Sequence, residues 1–458
     1  MLQTVRKIHF IGIGGAGMSA LAKILLEKGY AVSGSDLHDS PIIAHLKAMG
    51  AEIFQGHRTE NVKGADTIVV SSAIHEDNPE VIAAREQGIQ RMHRSDVNAA
   101  LLNAVKGIAV AGAHGKTTTT SMIGVMLDHA GMQPTIIIGG EVDYLDGNAK
   151  LGSGEYLVSE ADESDGSFLK LRPHIAVVTN IENDHMDHYG SMDNIRAAFR
   201  QFIRNVDPAT GYAVLCFDNE NIRNLAGDIE RKYISYSIEH AADYQAVHIV
   251  PEGAGIAFDV QHGQENLGRV RLNIPGQHNV LDAMAAIVTG LSVGLTVPQI
   301  AAGLACFHGA KRRFETKGRV NGVWVVDDYA HHPTEIATTL TAALQTKPAR
   351  LICAFQPHRY TRTQLLAKEF GRAFQAADIL VLTDVYAAGE EPIPGVSGET
   401  ILAEVTEQTG QNVTYIARRE DVAGYLATVV RPGDLVMTMG AGNICQTGPE
   451  LLARLEEA

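Results

Sequence analysis

Four cysteines and one tryptophan among 458 residues are few, and the chain carries only 38 basic side chains against 53 acidic ones. Each scarcity excludes something. Cys216, Cys306, Cys353 and Cys445 stand far apart, with no C-x-x-C pair, so neither a disulfide framework nor a thiolate metal site is expected. A net charge of −15 argues against general binding to nucleic acid or an anionic membrane, although local basic pockets for phosphate remain open. No apolar run approaches a membrane span, and the start, MLQTVRKIHF, lacks the apolar stretch of a secretion signal. A cytoplasmic protein is expected. What the chain does have is length, too much for one core, and 45 glycines.

Short β-branched runs alternate with helical stretches throughout, which predicts parallel sheets flanked by helices, an α/β fold. The pattern restarts twice, at GIAVAGAHG and at RVNGVWVVDD, giving three expected regions at 1–98, 99–310 and 311–458. Ligands in such sheets sit beyond the carboxyl ends of strands, and there the polar and glycine-rich segments fall.

The first such segment, HFIGIGGAGM, sets Gly12, Gly14 and Gly17 in the G-x-G-x-x-G spacing after an apolar run. Asp36 follows in SGSD, where a ribose contact is expected of a dinucleotide fold. Taken alone the fingerprint suits an oxidoreductase. A second loop, VAGAHGKTTTT, places Gly112, His114, Gly115, Lys116, Thr117 and Thr118 between a strand and a helix. Its backbone amides suit phosphate oxygens, Lys116 the β/γ-phosphates and the Thr117 hydroxyl Mg²⁺. Threonine runs are poor helix formers, so four together call for such a reason.

Two acidic strand ends follow. YLVSEADESD gathers Glu160, Asp162, Glu163 and Asp165, either a solvated loop or the source of one carboxylate for Mg²⁺. NIENDHMDH sets His185 where it suits a second metal or a phosphate, while Asp187 or His188 suits a helix cap. Asn279 and Asp282 share a helix face if a helix starts there, suiting an adenine edge, and Asn279 equally suits an N-cap. Arg313, in GAKRRFE, is either a hinge arginine for a transferring phosphoryl group or part of a basic turn. Farther on, DDYAHHP ends a strand with Asp328, Tyr329 and His331. Arg359 and Arg362 in PHRYTRT can converge on one carboxylate or face solvent.

GIGGAGM, GAHGKTTTT, EADESD, NIENDHMD, GQHN, RRFE, DDYAHHPTE, FQPHRYTRT and GAGN occur in one order, and this set resembles the Mur ligase family over essentially the whole chain. The resemblance implies a Rossmann-like N-terminal domain for a UDP-sugar, a central P-loop ATPase domain with a mainly parallel sheet, and a Rossmann-like C-terminal domain receiving an amino acid. It makes the first glycine loop a UDP-diphosphate site rather than a dinucleotide one. It implies UDP-N-acetylmuramate, L-alanine, ATP and Mg²⁺ (Mn²⁺ as a substitute) as ligands, and a monomer or weak homodimer. Carried over by position, Gly14, Gly15, Ala16, Gly17, Met18, Asp36, His57, Ser71 and Ser72 serve the UDP-sugar. Thr117, Glu160 and His185 serve the metals, and Asn279 and Asp282 the adenine. Arg313 and Asp328 serve the nucleotide, while Tyr329, His331, Arg359 and Arg362 serve the amino acid. Two positions depart from the family pattern: Ala113 replaces a usual threonine and Asp282 a usual asparagine.

Overall fold

The structure, a computed structural model, describes residues 5–457. Its strands form three sheets, mainly parallel. In the first, β1 (Lys7–Ile11), β2 (Ala31–Asp36), β3 (Glu52–Gln55), β4 (Thr67–Val70) and β5 (Gln90–His93) take the order β3-β2-β1-β4-β5. Every neighbouring pair is parallel. The strand order reverses between β1 and β4, so their connections leave in opposite directions and open a crevice at the carboxyl ends.

The second sheet comprises β6 (Lys106–Ala111), β7 (Thr135–Val142), β8 (Gly147–Lys150), β9 (Tyr156–Glu160), β10 (Ile175–Val178), β11 (Tyr212–Cys216) and β12 (Tyr233–Ser237), continued by β13 (Tyr244–Glu252), β14 (Gly255–His262) and β15 (Glu265–Leu272). Its order is β15-β14-β13-β12-β11-β10-β6-β9-β7-β8. Strand β6 lies between β10 and β9, parallel to both. The three polar segments that follow β6, β9 and β10 therefore converge at one sheet edge.

The third sheet has β16 (Glu315–Val320), β17 (Val323–Asp328), β18 (Arg350–Phe355), β19 (Ile379–Leu382), β20 (Val413–Tyr415) and β21 (Asp434–Met439), in the order β16-β17-β21-β18-β19-β20. Only its edge strand β16 is antiparallel to its neighbour. Alternation along β18 sends Leu351, Cys353 and Phe355 into one core layer and Ile352 and Ala354 into the other. Such burial on both faces is why these strands read as unbroken apolar runs.

The chain divides into two compact units. One holds everything up to His248 with Phe258–Arg271 and Leu281–Phe307; the other holds Ile249–Ala257, Leu272–Val280 and the chain from His308 onward. The first two sheets' nucleotide-type loops thus belong to one unit. All four cysteines are free. Among the described residues no helix is long and apolar enough to cross a membrane.

Candidate active site

The first glycine loop joins β1 to the helix Ala16–Glu27, which no side chain caps. Its first-turn amides are left for a ligand, as at other anion-binding helix starts. Gly12 has φ 76°, and a Cβ on Gly14 would meet Asp36 Oδ2 at 2.9 Å. Gly14 N donates to that same carboxylate oxygen at 2.9 Å. A cavity of about 450 Å³ opens over the loop; Gly14, Gly15, Ala16, Gly17, Met18, Asp36 and Ser71 line it, as does Arg94.

His57 and Ser72 do not line that cavity. His57 Nδ1 lies 3.0 Å from Ser35 Oγ and 3.1 Å from Glu80 Oε2, facing a carboxylate sealed from solvent behind β2. Ser72 Oγ donates to Asp165 Oδ2 at 3.0 Å, across to the acidic segment after β9.

The second loop joins β6 to the helix Lys116–His129, again without a side-chain cap. Gly112 has φ 142°, and a Cβ there would lie 2.1 Å from Thr179 Oγ1. Gly115 has φ 82°, and its Cβ would lie 2.4 Å from Asp282 Oδ1. Both glycines are therefore required by backbone geometry and by close approach. His114 N donates to Asn180 Oδ1 at 2.9 Å, which ties the loop to the end of β10. Asp282 accepts from Thr119 Oγ1 at 3.0 Å and is buried beneath the loop. It braces the loop from beneath. Asn279 lies inside the helix Gln277–Ser292 rather than capping it, and its Nδ2 donates to the Pro275 carbonyl at 2.6 Å.

Lys116 Nζ donates to the carbonyls of Gly112 and Ala113 and to Glu163 Oε1, the last at 2.7 Å. Burial disfavours the ammonium charge, but Glu163, with Asp162 and Glu160, outweighs it and holds the pKa above the ordinary lysine value. His185 Nε2 stands 3.6 Å from the same Glu163 oxygen and 3.5 Å from Asp184 Oδ2. Burial opposes its protonation too, and the two carboxylates reverse the effect, raising its pKa. Glu160 Oε1 accepts from Gly139 N at 2.6 Å. Thr117 Cγ2 is 3.2 Å from where Gly140 would carry a Cβ, and Glu160 Oε2 is 3.0 Å from the equivalent point on Gly139. Thr117 and Glu160 thus approach two adjacent glycines of β7. Among the described residues no three His, Cys, Asp or Glu side chains converge as a metal cage. One hydroxyl and one carboxylate fit Mg²⁺, which keeps waters and takes substrate phosphates as its other ligands.

In the other unit, Asp328 ends β17 and accepts from Phe314 N at 2.7 Å and Ala330 N at 2.8 Å. Burial lifts its pKa to about 6, although Arg313 opposes the rise. Arg313 lies 5.4 Å from the Tyr329 ring centre and 3.9 Å from Glu335. His331 Nδ1 is 3.0 Å from the Tyr329 carbonyl, and burial lowers the imidazole's pKa to about 4. Its ring faces His358 at 6.0 Å, and His358 stacks on Tyr386 at 5.7 Å. Arg359 has φ 70° and starts the short helix Tyr360–Leu365 that carries Arg362. The positive φ turns the chain sharply where β18 ends.

Three residues at these sites carry more than their motifs announced. Glu163 holds Lys116, Arg94 lines the first cavity, and His358 lies between His331 and Tyr386. Each is one polar residue within a polar run, and only the fold reveals its partner.

Known proteins match this chain along its length. Family models match in succession: the Mur ligase family catalytic domain over residues 7–106, the Mur ligase middle domain over 110–290, and the Mur ligase glutamate ligase domain over 312–442. A UDP-N-acetylmuramate–L-alanine ligase from Pelotomaculum thermopropionicum is 50% identical over 453 residues, 99% of this chain and 98% of its own. The crystal structure of UDP-N-acetylmuramate–alanine ligase from Thermotoga maritima superposes with a TM-score of 0.85 at 29% identity, covering 98% of this chain and 99% of that one. A murein peptide ligase from Psychrobacter arcticus gives 0.74 at 27% identity, covering 99% of each chain. With its three sheets, two glycine loops and paired acidic strand ends matched from one end to the other, the chain belongs to the Mur ligase family.

Proposed function

We propose that this chain is an ATP-dependent ligase joining L-alanine to UDP-N-acetylmuramate through an acyl phosphate, a cytoplasmic step in making peptidoglycan precursors. The observation that carries the reading is the adjoining of two cavities. The 450 Å³ cavity over the first glycine loop shares Gly17 and Arg94 with a second, of about 270 Å³, lined by Lys116, Glu160 and Asp162. A nucleotide sugar whose diphosphate rests on the first loop would extend its far end toward the phosphate loop. Residues 1–98 would then serve the UDP-sugar, 99–310 the ATP and 311–458 the amino acid.

A muramate carboxylate is a poor electrophile and must be activated. In this reading a carboxylate oxygen bonds to the γ-phosphorus of ATP and ADP leaves. Lys116 and the amides that start its helix neutralise charge on the transferring group, and Arg313 is assigned to the same task. Mg²⁺, held by Thr117 and Glu160, would supply further charge neutralisation on the phosphates. His185 is assigned to the γ-phosphate end. Arg359 and Arg362 take the carboxylate of L-alanine, a task suited to guanidinium geometry. His331, with its pKa near 4, is neutral at pH 7 and able to accept a hydrogen bond from the incoming amine. The amine attacks the acyl carbon, the new C–N bond forms, and phosphate leaves.

Phosphate release from ATP in the presence of Mg²⁺ and UDP-N-acetylmuramate tests the donor. Release that requires L-alanine is the expected result. Release supported only by a preformed muropeptide would replace this reading with that of a peptide-adding sibling.

A further inference from the structure

Arg94 begins the helix Arg94–Leu102 and lines both cavities of the first unit. Its guanidinium lies over Gly17, where a Cβ would come within 3.3 Å of Nη1. The third glycine of the loop is therefore also the clearance over which this side chain passes. Nη2 donates to Asp162, on the segment after β9. The pair fixes the guanidinium, while Nη1 and Nε have no protein acceptor among the described residues.

The second cavity has two cations in its lining, Arg94 and Lys116, facing two carboxylates, Glu160 and Asp162. Lys116 is engaged by Glu163 and by its own loop. A substrate carboxylate entering this space meets like charge from Glu160 and Asp162, and desolvating it without a cation would be costly. Arg94 is the cation placed on the path from the first cavity to the second, with donors still available.

We propose that Arg94 is a substrate-binding residue that receives the reacting carboxylate of the nucleotide sugar and so selects a carboxylated sugar over its uncharged parent. This rests on the function proposed above. It assigns the diphosphate to the glycine loop and the carboxylate to the arginine.

Calorimetric titration of the full chain with UDP-N-acetylmuramate and with UDP-N-acetylglucosamine, which lacks the carboxylate, separates these roles. The unaltered protein is expected to bind the muramate compound more tightly. In Arg94→Ala its affinity should fall roughly 10- to 100-fold, the range for a lost hydrogen bond to a charged group. Affinity for the glucosamine compound should change less than about twofold, the tolerance allowed for an interaction that is not lost, and that binding also reports folding. Arg94→Gln, which keeps a stem over Gly17, should repeat the pattern if the alanine variant does not fold. Equal losses for both ligands would overturn the inference by assigning Arg94 to the diphosphate, and an unchanged preference would overturn it outright. If the unaltered protein binds neither UDP-sugar, the proposed function itself falls, and the inference with it.

Discussion

Gly112 concentrates the demands that phosphate chemistry makes on a single residue. Its φ of 142° lies where L side chains rarely go, and the space a Cβ would fill belongs to Thr179 Oγ1. The backbone of the loop can then reach Asn180 through His114 and still leave its amides for a ligand. Ala113 stands beside it without a hydroxyl, and a cradle of backbone amides does not use that side chain. Gly112→Ala is expected to destabilise the chain by about 1–3 kcal/mol, the cost of holding a side chain in such a conformation. Urea unfolding checks it: a lowered midpoint is the prediction, and an unchanged one would mean the loop relaxes freely.

At the scale of elements, strand ends decide which residues meet. Both glycine loops were legible because their spacing expresses a backbone requirement that needs no distant partner. The acidic and histidine-rich strand ends were legible as polar clusters after apolar runs, from the residues themselves. Pairings across the sheet were not. Arg94 meets Asp162 and Lys116 meets Glu163 across 68 and 47 residues, and nothing near either member signals the other. His57 faces Glu80, a carboxylate 23 residues away on another element, which its own neighbours do not signal. Asp282 meets Thr119, which lies 163 residues earlier in the chain, and neither position signals the other.

The ends of β17 and β18 carry a pH dependence with opposed signs. Burial lowers His331 and His358 to about 4. Between there and the ordinary histidine value of 6.5 the unfolded chain binds more protons at these sites, so they make stability rise with pH. Asp328, lifted to about 6 from 3.8, binds its proton more firmly when folded and makes stability fall across that range. Replacing both histidines by glutamine should leave the Asp328 contribution without its opposition. The stability gap between the unaltered protein and this double variant is therefore expected to be more favourable to the former at pH 6.5 than at pH 4.5. Urea midpoints at the two pH values measure it, and a gap independent of pH would contradict the assignment.

For the whole molecule, three mainly parallel sheets supply three sets of carboxyl-end loops, and the chemistry proposed here divides among them. The α/β class and the family were legible in the sequence because strand–helix alternation and motif order persist from end to end. The grouping of the first sheet with most of the second in one compact unit was not, since bonds such as Arg94–Asp162 and Ser72–Asp165, which join separate strand ends, have no local signal. In the proposed reaction the substrate carboxylate attacks phosphorus before the amine attacks carbon. UDP-N-acetylmuramate labelled with ¹⁸O in its carboxylate, turned over with ATP and L-alanine, tests this directly. One labelled oxygen is expected in the released phosphate, because the oxygen that bonds to phosphorus leaves with it. Phosphate free of label, with the amide still formed, would contradict it.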